Sequence, residues 1–172
     1  MKIKSNQQVV VYESIDIDKA LSAYHKEHRM VTSLSDKSLF VSDVCIQMKH
    51  YPFTQVSMPY ASINLINLAI EQSLIVMYDR LVSTNSITGP WDNIDDYRSY
   101  VTQGCWLVPR LVTKVLSPTP LKTELNFVTS LDQIKTGKRR VTLRFSVNCR
   151  GYIDSSGVAI FDAKQVYLRS MG

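Results

Sequence analysis

The sequence predicts an α+β fold in which an antiparallel β-sheet wraps around one long central helix. Two observations support this prediction. Residues 62–81, SINLINLAIEQSLIVMYDRL, are apolar on nearly every side of a helix, so the helix must be covered on nearly all sides. Residues 105–169 hold four segments rich in β-branched and aromatic residues, and a sheet built from them must bury one face. Wrapping the sheet around the helix satisfies both needs, and this arrangement is the hotdog fold.

Length and composition indicate one ordinary globular domain. The 172 residues can bury a sizeable core, and 45% hydrophobic with 20% charged residues is typical of a soluble chain. We predict a single hotdog domain over residues 1–172, with 1–37 as an N-terminal strand and helix extension. The three cysteines are widely spaced and form no CxxC pair, which favours a reducing compartment and argues against a disulfide framework or a zinc site.

The same features set the expected location of the protein. The first eighteen residues contain no apolar run long enough for a signal peptide. The polar and charged groups within 62–81 make a membrane span too costly for this helix. We therefore expect a soluble, cytoplasmic protein that needs no cofactor and no metal and does not bind a membrane.

In the first half of the chain, the long helix follows three shorter predicted elements. QQVVVYES (7–14) predicts a short strand, and DIDKALSAYHKEHRM (16–30) predicts a helix that Asp16 or Asp18 caps. The alternation in SLFVSDVCIQM (38–48) predicts a strand. Two prolines make 49–60 a loop, and Ser62 is the predicted N-cap of the long helix.

The second half predicts a loop at 83–93, a short helix that starts at NIDDYRSYV (93–101), and then four antiparallel strands. The strands are expected at 105–116, 121–134, 140–153 and 157–169. In the third, apolar and polar residues alternate strictly, as a half-buried strand requires. KTGK (135–138) and DSSG (154–157) are the predicted turns between the last three strands.

Four polar residues form one stripe on the long apolar helix: Asn64, Asn67, Glu71 and Tyr78. At 100° per residue they fall within roughly a 60° arc of the helix surface. One interpretation is structural, since such groups can satisfy backbone groups of neighbouring strands or face solvent. The other is a functional site, because Glu71 has no Lys or Arg three or four residues away to pair with, and burial would raise its pKa toward the range of a general base.

The positive charge is unevenly spread along the chain. The net charge is +5, and KTGKRR (135–140) holds four of the positive charges. This cluster can be a solvated hairpin turn, or it can bind an acidic partner such as a carrier protein or a nucleotide-bearing substrate. The sequence contains no P-loop, G-x-G-x-x-G, G-x-S-x-G or RNA-binding sheet motif, so we expect neither a nucleotide-binding fold, an α/β-hydrolase nor a nucleic-acid partner.

A family resemblance extends these predictions. NLAIEQSLI (67–75) and GPWDNIDDYRSYVTQGCWLVPRLVTKVLSPTPLKTELNF (89–127) resemble the FcoT-type thioesterase family, and the resemblance covers roughly residues 60–168. The residues that carry it are Trp91, Ile94-Asp95-Asp96-Tyr97, Pro118 or Pro120, and Glu71-Gln72. Members are hotdog long-chain acyl-CoA thioesterases, and relatives add glycine to an α,β-unsaturated acyl group on a carrier protein. The resemblance implies a homodimer or larger homo-oligomer and a role in fatty-acid or secondary-metabolite chemistry.

The resemblance also suggests roles for individual residues. Glu71 stands where the family has an asparagine, and unlike asparagine it can take a proton. Glu71 is therefore the predicted base, assisted by Asn67 and Asn64, with Tyr60 or Tyr51 as the counterpart of the family's tyrosine. Gln72 and Tyr78 are predicted to contact the substrate. Basic residues are predicted to meet an acyl carrier protein or the phosphates of CoA: Arg110, Lys114, Lys138, Arg139 and Arg140.

Three function classes remain open from the sequence. The first is hydrolysis of an acyl thioester, or the related addition of glycine to a 2-enoyl thioester. The second is a dehydratase or hydratase on acyl thioesters, which the acidic residue favours and the lack of a histidine motif disfavours. The third is a carrier-binding domain that kept the fold and lost the chemistry.

Overall fold

A computed structural model of the chain describes residues 16–48 and 59–163. The predicted strand at 7–14 lies outside these residues, as does most of the loop at 49–60. In chain order the elements are α1 (Ile17–Ala20), a 3₁₀ turn (Lys26–His28), β1 (Val31–Ser38), β2 (Val41–Gln47), α2 (Ile63–Ser83), α3 (Ile94–Thr102), β3 (Trp106–Val115), β4 (Glu124–Thr136), β5 (Arg140–Cys149) and β6 (Ile153–Asp162).

The six strands of the described part form one sheet in the order β1-β2-β4-β5-β6-β3, and every neighbouring pair is antiparallel. Helix α2 packs against this sheet, and the core lies between them. The predicted α+β arrangement of a long helix and an antiparallel sheet is confirmed. β3 is an edge strand because it pairs with β6 alone among the described strands.

Helix α2 changes character along its length. It begins where predicted: the Ser62 side chain accepts a hydrogen bond from the Leu65 N–H at 3.3 Å. From Gln72 to Val82 every residue is buried. The first half is buried on one side only, so Asn64 is exposed while Asn67 and Glu71 are partly covered. Three members of the polar stripe, Asn64, Asn67 and Glu71, therefore lie on the half of the helix that the sheet leaves open, whereas Tyr78 lies on the buried half.

The alternating pattern of the third predicted strand places its apolar residues in the core. Val141, Leu143, Phe145 and Val147 are all buried in β5, and the residues between them lie on the outer face. The predicted KTGK turn joins β4 to β5, with the Gly137 N–H donating to the Arg140 carbonyl at 2.8 Å. The outer face of the sheet thus carries the polar residues, and the inner face covers α2.

The predicted DSSG turn is wrong. Asp154, Ser155 and Ser156 lie inside β6, where they pair with β5 residues Asn148, Val147 and Ser146. The chain turns earlier, at residues 150–152, and Gly151 adopts a φ of +79°, which glycine tolerates without strain. Consequently β5 ends at Cys149 and β6 starts at Ile153, rather than at 153 and 157. Small polar residues favour turns, and nothing local distinguishes this run from a strand whose side chains alternate between the two faces of the sheet.

The predicted helix over 16–30 is only partly present. Asp16 caps it, accepting from the Lys19 N–H at 3.0 Å, but α1 ends at Ala20 and only a 3₁₀ turn follows. Tertiary contacts replace the helix, because the backbone of His28 and Met30 hydrogen-bonds to a side chain of α2 instead. Strand β1 then follows at 31–38, where no strand was predicted. Its mostly exposed, polar residues are typical of an edge strand.

The residues that carried the family resemblance build the packing between α2, α3 and the sheet. The rings of Trp91 and Tyr97 pack against those of Tyr78 and Phe161 in edge-to-face and tilted arrangements, with centroids 5.2–5.9 Å apart. The Asn93 side chain caps α3 by accepting from the N–H groups of its first turn at 2.9 and 3.0 Å. In the described ranges, no helix combines the length and the apolar character that crossing a membrane requires.

Candidate active site

A cavity of about 460 Å³ lies between the first half of α2 and edge strand β3. One wall carries carboxamide and carboxylate groups, and the other is apolar. The lining residues are Asn64, Asn67, Leu68, Ile70, Glu71, Val108 and Leu111. The structure therefore brings three of the four predicted catalytic residues together at one cavity, with an apolar surface opposite them.

Glu71 is the ionisable side chain of this lining, and it is partly buried. Desolvation raises its pKa above the ordinary value for glutamate. The nearby Tyr24 phenol opposes part of that rise, because it favours the charged form of the carboxylate. Burial, followed by the nearby carboxylate, raises the pKa of Tyr24, so its phenol keeps its proton. The Glu71 carboxylate is therefore more basic than an exposed glutamate.

A chain of hydroxyl groups orients the Asn67 amide. Ser155 of β6 donates to Thr113 of β3 at 3.0 Å, and Thr113 donates to the Asn67 Oδ1 at 3.0 Å. Because the amide oxygen accepts this bond, the Nδ2 hydrogens are the groups left to donate toward the cavity, and none of the described residues accepts from them. Asn67 is thus a fixed hydrogen-bond donor beside Glu71. Asn64 is exposed, one turn nearer the start of α2.

Gln72 and Tyr78, predicted to contact substrate, point to other parts of the molecule. Gln72 is buried and bonds the backbone, accepting from the Met30 N–H at 2.8 Å and donating to the His28 carbonyl at 2.9 Å. Tyr78 is buried among aromatic rings, including Trp91 and Trp106, and desolvation raises its pKa. Neither side chain lines the cavity. Tyr78 shares the stripe's helix face, but it lies on the half of α2 that is buried all round.

The structure describes one of the two candidate tyrosines. Tyr51 lies outside the described residues. Tyr60 precedes α2, is 51% exposed, and its backbone forms an isolated bridge with Pro120. It does not line the cavity. The tyrosine that affects the pKa of Glu71 is Tyr24, which follows α1.

The predicted basic residues lie on the outer side of the sheet and at its turn, away from the cavity lining. Arg110 lies on β3 and shares a second cavity, of about 290 Å³, with Arg144, Asp132 and Ser156. Lys138 and Arg139 are exposed in the β4–β5 turn. Arg140 donates to the Asp162 carboxylate at 2.5 and 3.1 Å, so an internal acid already pairs with it. These residues form a basic surface, but none of them lines the cavity that contains Glu71.

The sequence analysis did not predict two residues beside the candidate site: Thr113, which hydrogen-bonds to Asn67, and Tyr24, which affects the pKa of Glu71. Both are distant in sequence from those partners. The register of β3 against β6 places Thr113 on the inner face beside Ser155, and no local pattern shows this. Across residues 16–48 and 59–163, no group of three or more His, Cys, Asp or Glu side chains is arranged to hold a metal ion.

The comparisons with known proteins support the fold. No family model matches the sequence, and no curated protein matches it. Solved structures do match. The dehydratase heterocomplex ApeI:P from Xenorhabdus doucetiae aligns over 93% of this chain and 97% of that chain, with a TM-score of 0.54 and 9% identity. Thioesterase superfamily member 2 from Mus musculus aligns over 87% of this chain and 93% of that chain, with a TM-score of 0.51 and 9% identity.

A third structure, the HP0420 homologue from Helicobacter felis, aligns over 90% of this chain and 93% of that chain, with a TM-score of 0.50 and 10% identity. At identities this low, the likeness concerns the fold and not the residues of the site. The long central helix and the antiparallel sheet of this chain agree with these structures. The chain has the hotdog fold.

Proposed function

We propose that the protein acts on acyl thioesters and that its reaction is hydrolysis of an acyl group carried by an acyl carrier protein or by CoA. One observation carries this proposal: a partly buried Glu71 carboxylate of raised pKa faces a cavity that has an amide donor on one side and aliphatic side chains on the other. The hotdog fold supports it, as does the resemblance to FcoT-type thioesterases. A carboxylate that is more basic than usual suits a general base near neutral pH.

The proposed step uses the cavity groups in turn. The thioester carbonyl enters beside α2, with its acyl chain against Leu68, Val108 and Leu111. A water molecule attacks C1 while Glu71 takes the proton of that water, which leaves a negative charge on the carbonyl oxygen. The C–S bond then breaks, and the thiolate leaves with the proton that Glu71 held. The products are a free acid and a free thiol.

The negative charge that develops on the carbonyl oxygen needs a fixed donor. The Asn67 Nδ2 is one, because Thr113 holds the amide oxygen on the opposite side. The free N–H groups of the first turn of α2 are another, since a helix N-terminus offers unpaired donors and a positive dipole. Asn64 lies in that turn and provides a further amide at the entrance.

The carrier is proposed to approach the basic surface. Arg110 and Arg144 flank the second cavity, with Val158 between them in the sheet register. Lys138 and Arg139 add two exposed charges at the β4–β5 turn. Phosphates of CoA, or an acidic carrier protein, would be attracted by this surface, and salt would weaken the attraction.

We further propose that a second copy of the chain pairs along β3. This edge strand leaves one row of backbone groups unpaired within the described sheet, and several of its apolar side chains are exposed: Leu107 at 41%, Val112 at 48% and Val115 at 48%. Antiparallel pairing of two β3 strands would cover them in a symmetric interface. Because Val108 and Leu111 line the cavity from the same strand, the second copy would lie beside the site.

A dehydratase or hydratase reaction is the second candidate. A carboxyl group whose pKa is raised by burial can hold a proton near neutral pH, and it can then donate the proton as well as accept one. Addition of glycine to a 2-enoyl thioester would use the same base to deprotonate the amine that attacks C3. All three reactions use the same residues, so they are distinguished by the products that they form.

Intact-mass analysis of a loaded carrier protein tests these alternatives directly. The carrier is charged with saturated or 2-enoyl chains and incubated with the protein, with and without glycine. Loss of the acyl mass without glycine supports hydrolysis. A gain of one glycine on the enoyl chain alone indicates addition, and a gain or loss of water indicates hydration or dehydration. An unchanged carrier across a broad panel of chain lengths contradicts the proposed function.

A further inference from the structure

The free edge of β3 offers backbone hydrogen-bonding groups at three alternate positions. The Leu116 N–H, just past the end of β3, donates to the Tyr152 carbonyl at 2.8 Å, on the side of β6. Along an antiparallel strand, successive residues direct their backbone groups to opposite sides. The N–H and C=O groups of Leu111, Thr113 and Val115 therefore point away from β6, toward the edge that pairs with no other described strand.

Pro109 limits the part of this edge that can pair with another chain. It lies within β3 and has no N–H to donate to a neighbouring strand. The register of β3 against β6 also shifts between Leu107 and Arg110, so the strand is irregular there. Prolines and bulges on an edge strand hinder pairing with another chain. The regular part of the free edge is therefore residues 110–115.

Charge excludes several ways of pairing two copies antiparallel along this stretch. Opposite residues must lie on the same face of the joined sheet, so the two-fold axis of the pair passes through a residue of β3 and not between two residues. An axis at Arg110 or at Lys114 would place that charged side chain opposite its own copy. An axis at Val112 would place Arg110 opposite Lys114. Like charges directly opposite each other destabilise a strand pair.

The backbone groups exclude two further positions of the axis. An axis at Leu111 would set Pro109, which cannot donate, opposite Thr113. An axis at Val115 would place Leu111 beyond the end of the other β3. With the axis at Thr113, the backbone groups of Leu111 meet those of Val115 in the other copy, and Thr113 meets Thr113. We propose that the second copy pairs in this register, with Thr113 on the two-fold axis; the register rests on the β3 pairing included in the proposed function.

The side chains fit this register on both faces of the sheet. On the outer face, Val112 of each copy lies opposite Lys114 of the other, whose methylene stem covers it while the ammonium stays in solvent. On the inner face, Val115, which is 48% exposed in the single chain, packs beside Leu111 of the other copy. Because Leu111 lines the cavity that contains Glu71, each copy adds its Val115 to the wall of the other copy's cavity.

Cysteine pairs on the outer face test the register. Opposite residues there form the closely spaced pairs without hydrogen bonds, whose Cα atoms are about 4.5 Å apart, within the range of a disulfide. The double variant Val112→Cys with Lys114→Cys should form a disulfide-linked dimer under oxidised glutathione, seen on a non-reducing gel as twice the 19.6 kDa of one chain. Val112→Cys alone should run as a single chain. The wild type, which keeps Cys45, Cys105 and Cys149, measures the background.

The other outcomes identify other registers. Cross-linking of Val112→Cys alone would place the axis at Val112, and cross-linking only of Val112→Cys with Arg110→Cys would place it at Leu111. Either result overturns the proposed register and leaves pairing along β3 standing. All three residues are exposed in the single chain, so the substitutions disturb no core contact.

An absence of cross-links in every variant also overturns the register. Light scattering of the wild type then shows whether the pairing fails with it, since a monomer contradicts both and a dimer indicates another interface. None of these measurements uses a thioester. A confirmed register in a protein that hydrolyses no thioester would therefore contradict the proposed reaction alone.

Discussion

Arg98 donates two hydrogen bonds to the Asp79 carboxylate, from Nε at 2.8 Å and from Nη2 at 2.9 Å, and so joins α3 to the buried half of α2. Asp79 has no exposed surface, whereas 18% of the Arg98 side chain reaches solvent. Burial raises the pKa of Asp79 and Arg98 opposes the rise, so the pair offsets only part of the cost of desolvating the carboxylate.

Breaking this ion pair should destabilise the fold. We expect Asp79→Ala to lower the free energy of unfolding by about 3 kcal/mol, because it leaves the Arg98 charge without its partner and removes a buried contact. Urea denaturation measures the loss. The double variant Asp79→Leu with Arg98→Met should regain much of it, since apolar packing avoids the desolvation of both charges. A double variant as unstable as Asp79→Ala would contradict this account.

Glu71→Gln should abolish turnover without harming the fold. A glutamine cannot take a proton, so kcat/KM should fall by about 10²- to 10⁴-fold in the intact-mass assay. The cavity keeps its shape, and carrier binding, measured by calorimetry, should be retained. Retained turnover in this variant would mean that another group is the base.

The same variant predicts a pH dependence of stability. Burial raises the Glu71 pKa in the folded state, so its contribution to stability is complete below the unfolded-state pKa and is lost as pH rises through the folded-state pKa. A glutamine side chain does not ionise, so the variant does not lose stability in this way as pH rises. We therefore expect the variant to gain stability relative to the wild type as pH rises through that window, measured as the difference in Tm. A constant difference between pH 4 and pH 8 would contradict the raised pKa.

Thr113→Val should loosen Asn67. The variant keeps the shape of the side chain and removes the hydroxyl that donates to the Asn67 Oδ1. We expect kcat to fall by roughly tenfold while the free energy of unfolding changes by about 1 kcal/mol, the value of one hydrogen bond. Thr142→Val is the control, because Thr142 lies on the outer face of β5 and does not line the cavity. Equal activities in the two variants would exclude a role for the Ser155–Thr113–Asn67 chain.

Val112→Lys should disrupt a dimer that pairs along β3. Val112 is 48% exposed on the outer face of the edge strand, and a charge there would be buried in the proposed interface. Light scattering after gel filtration should give twice the 19.6 kDa of one chain for the wild type and the single mass for the variant. Thr142→Lys, away from the edge, should keep the dimer. A monomeric wild type at micromolar concentration would contradict the pairing.

The sheet also contains a close contact that can be tested for stability. A methyl group on Gly157 would lie 2.4 Å from the Arg110 carbonyl oxygen and 2.7 Å from the Phe145 Cζ. Gly157→Ala should therefore force β3 or the Phe145 ring to move, and we expect a loss of about 1–3 kcal/mol in the free energy of unfolding. Because Arg110 and Gly157 both border the second cavity, any anion affinity of that cavity should fall with it. An unchanged unfolding midpoint would contradict this expectation, because it would mean that the strands can move to admit the methyl group at little cost in stability.

The amino-acid pattern predicted the elements whose periodicity is strong. Helix α2 begins at its predicted cap, and the alternation in β5 assigned its inner face correctly. The edge strand β1 and the turn at 150–152 were missed, because polar residues in edge strands, turns and outer faces have similar local patterns. Asn64, Asn67 and Glu71 were found from the same helical periodicity, which brings residues three and four apart onto one face.

The sequence by itself therefore determined the central helix, the inner face of the sheet and the carboxylate that the helix presents. Only the tertiary structure decided that Thr113 orients Asn67 and that Gln72 binds the backbone of His28 and Met30. The physical reason is that periodicity places side chains around their own element. Contacts between distant segments depend on strand register and on buried backbone groups that need partners, and both are set only when the whole chain packs.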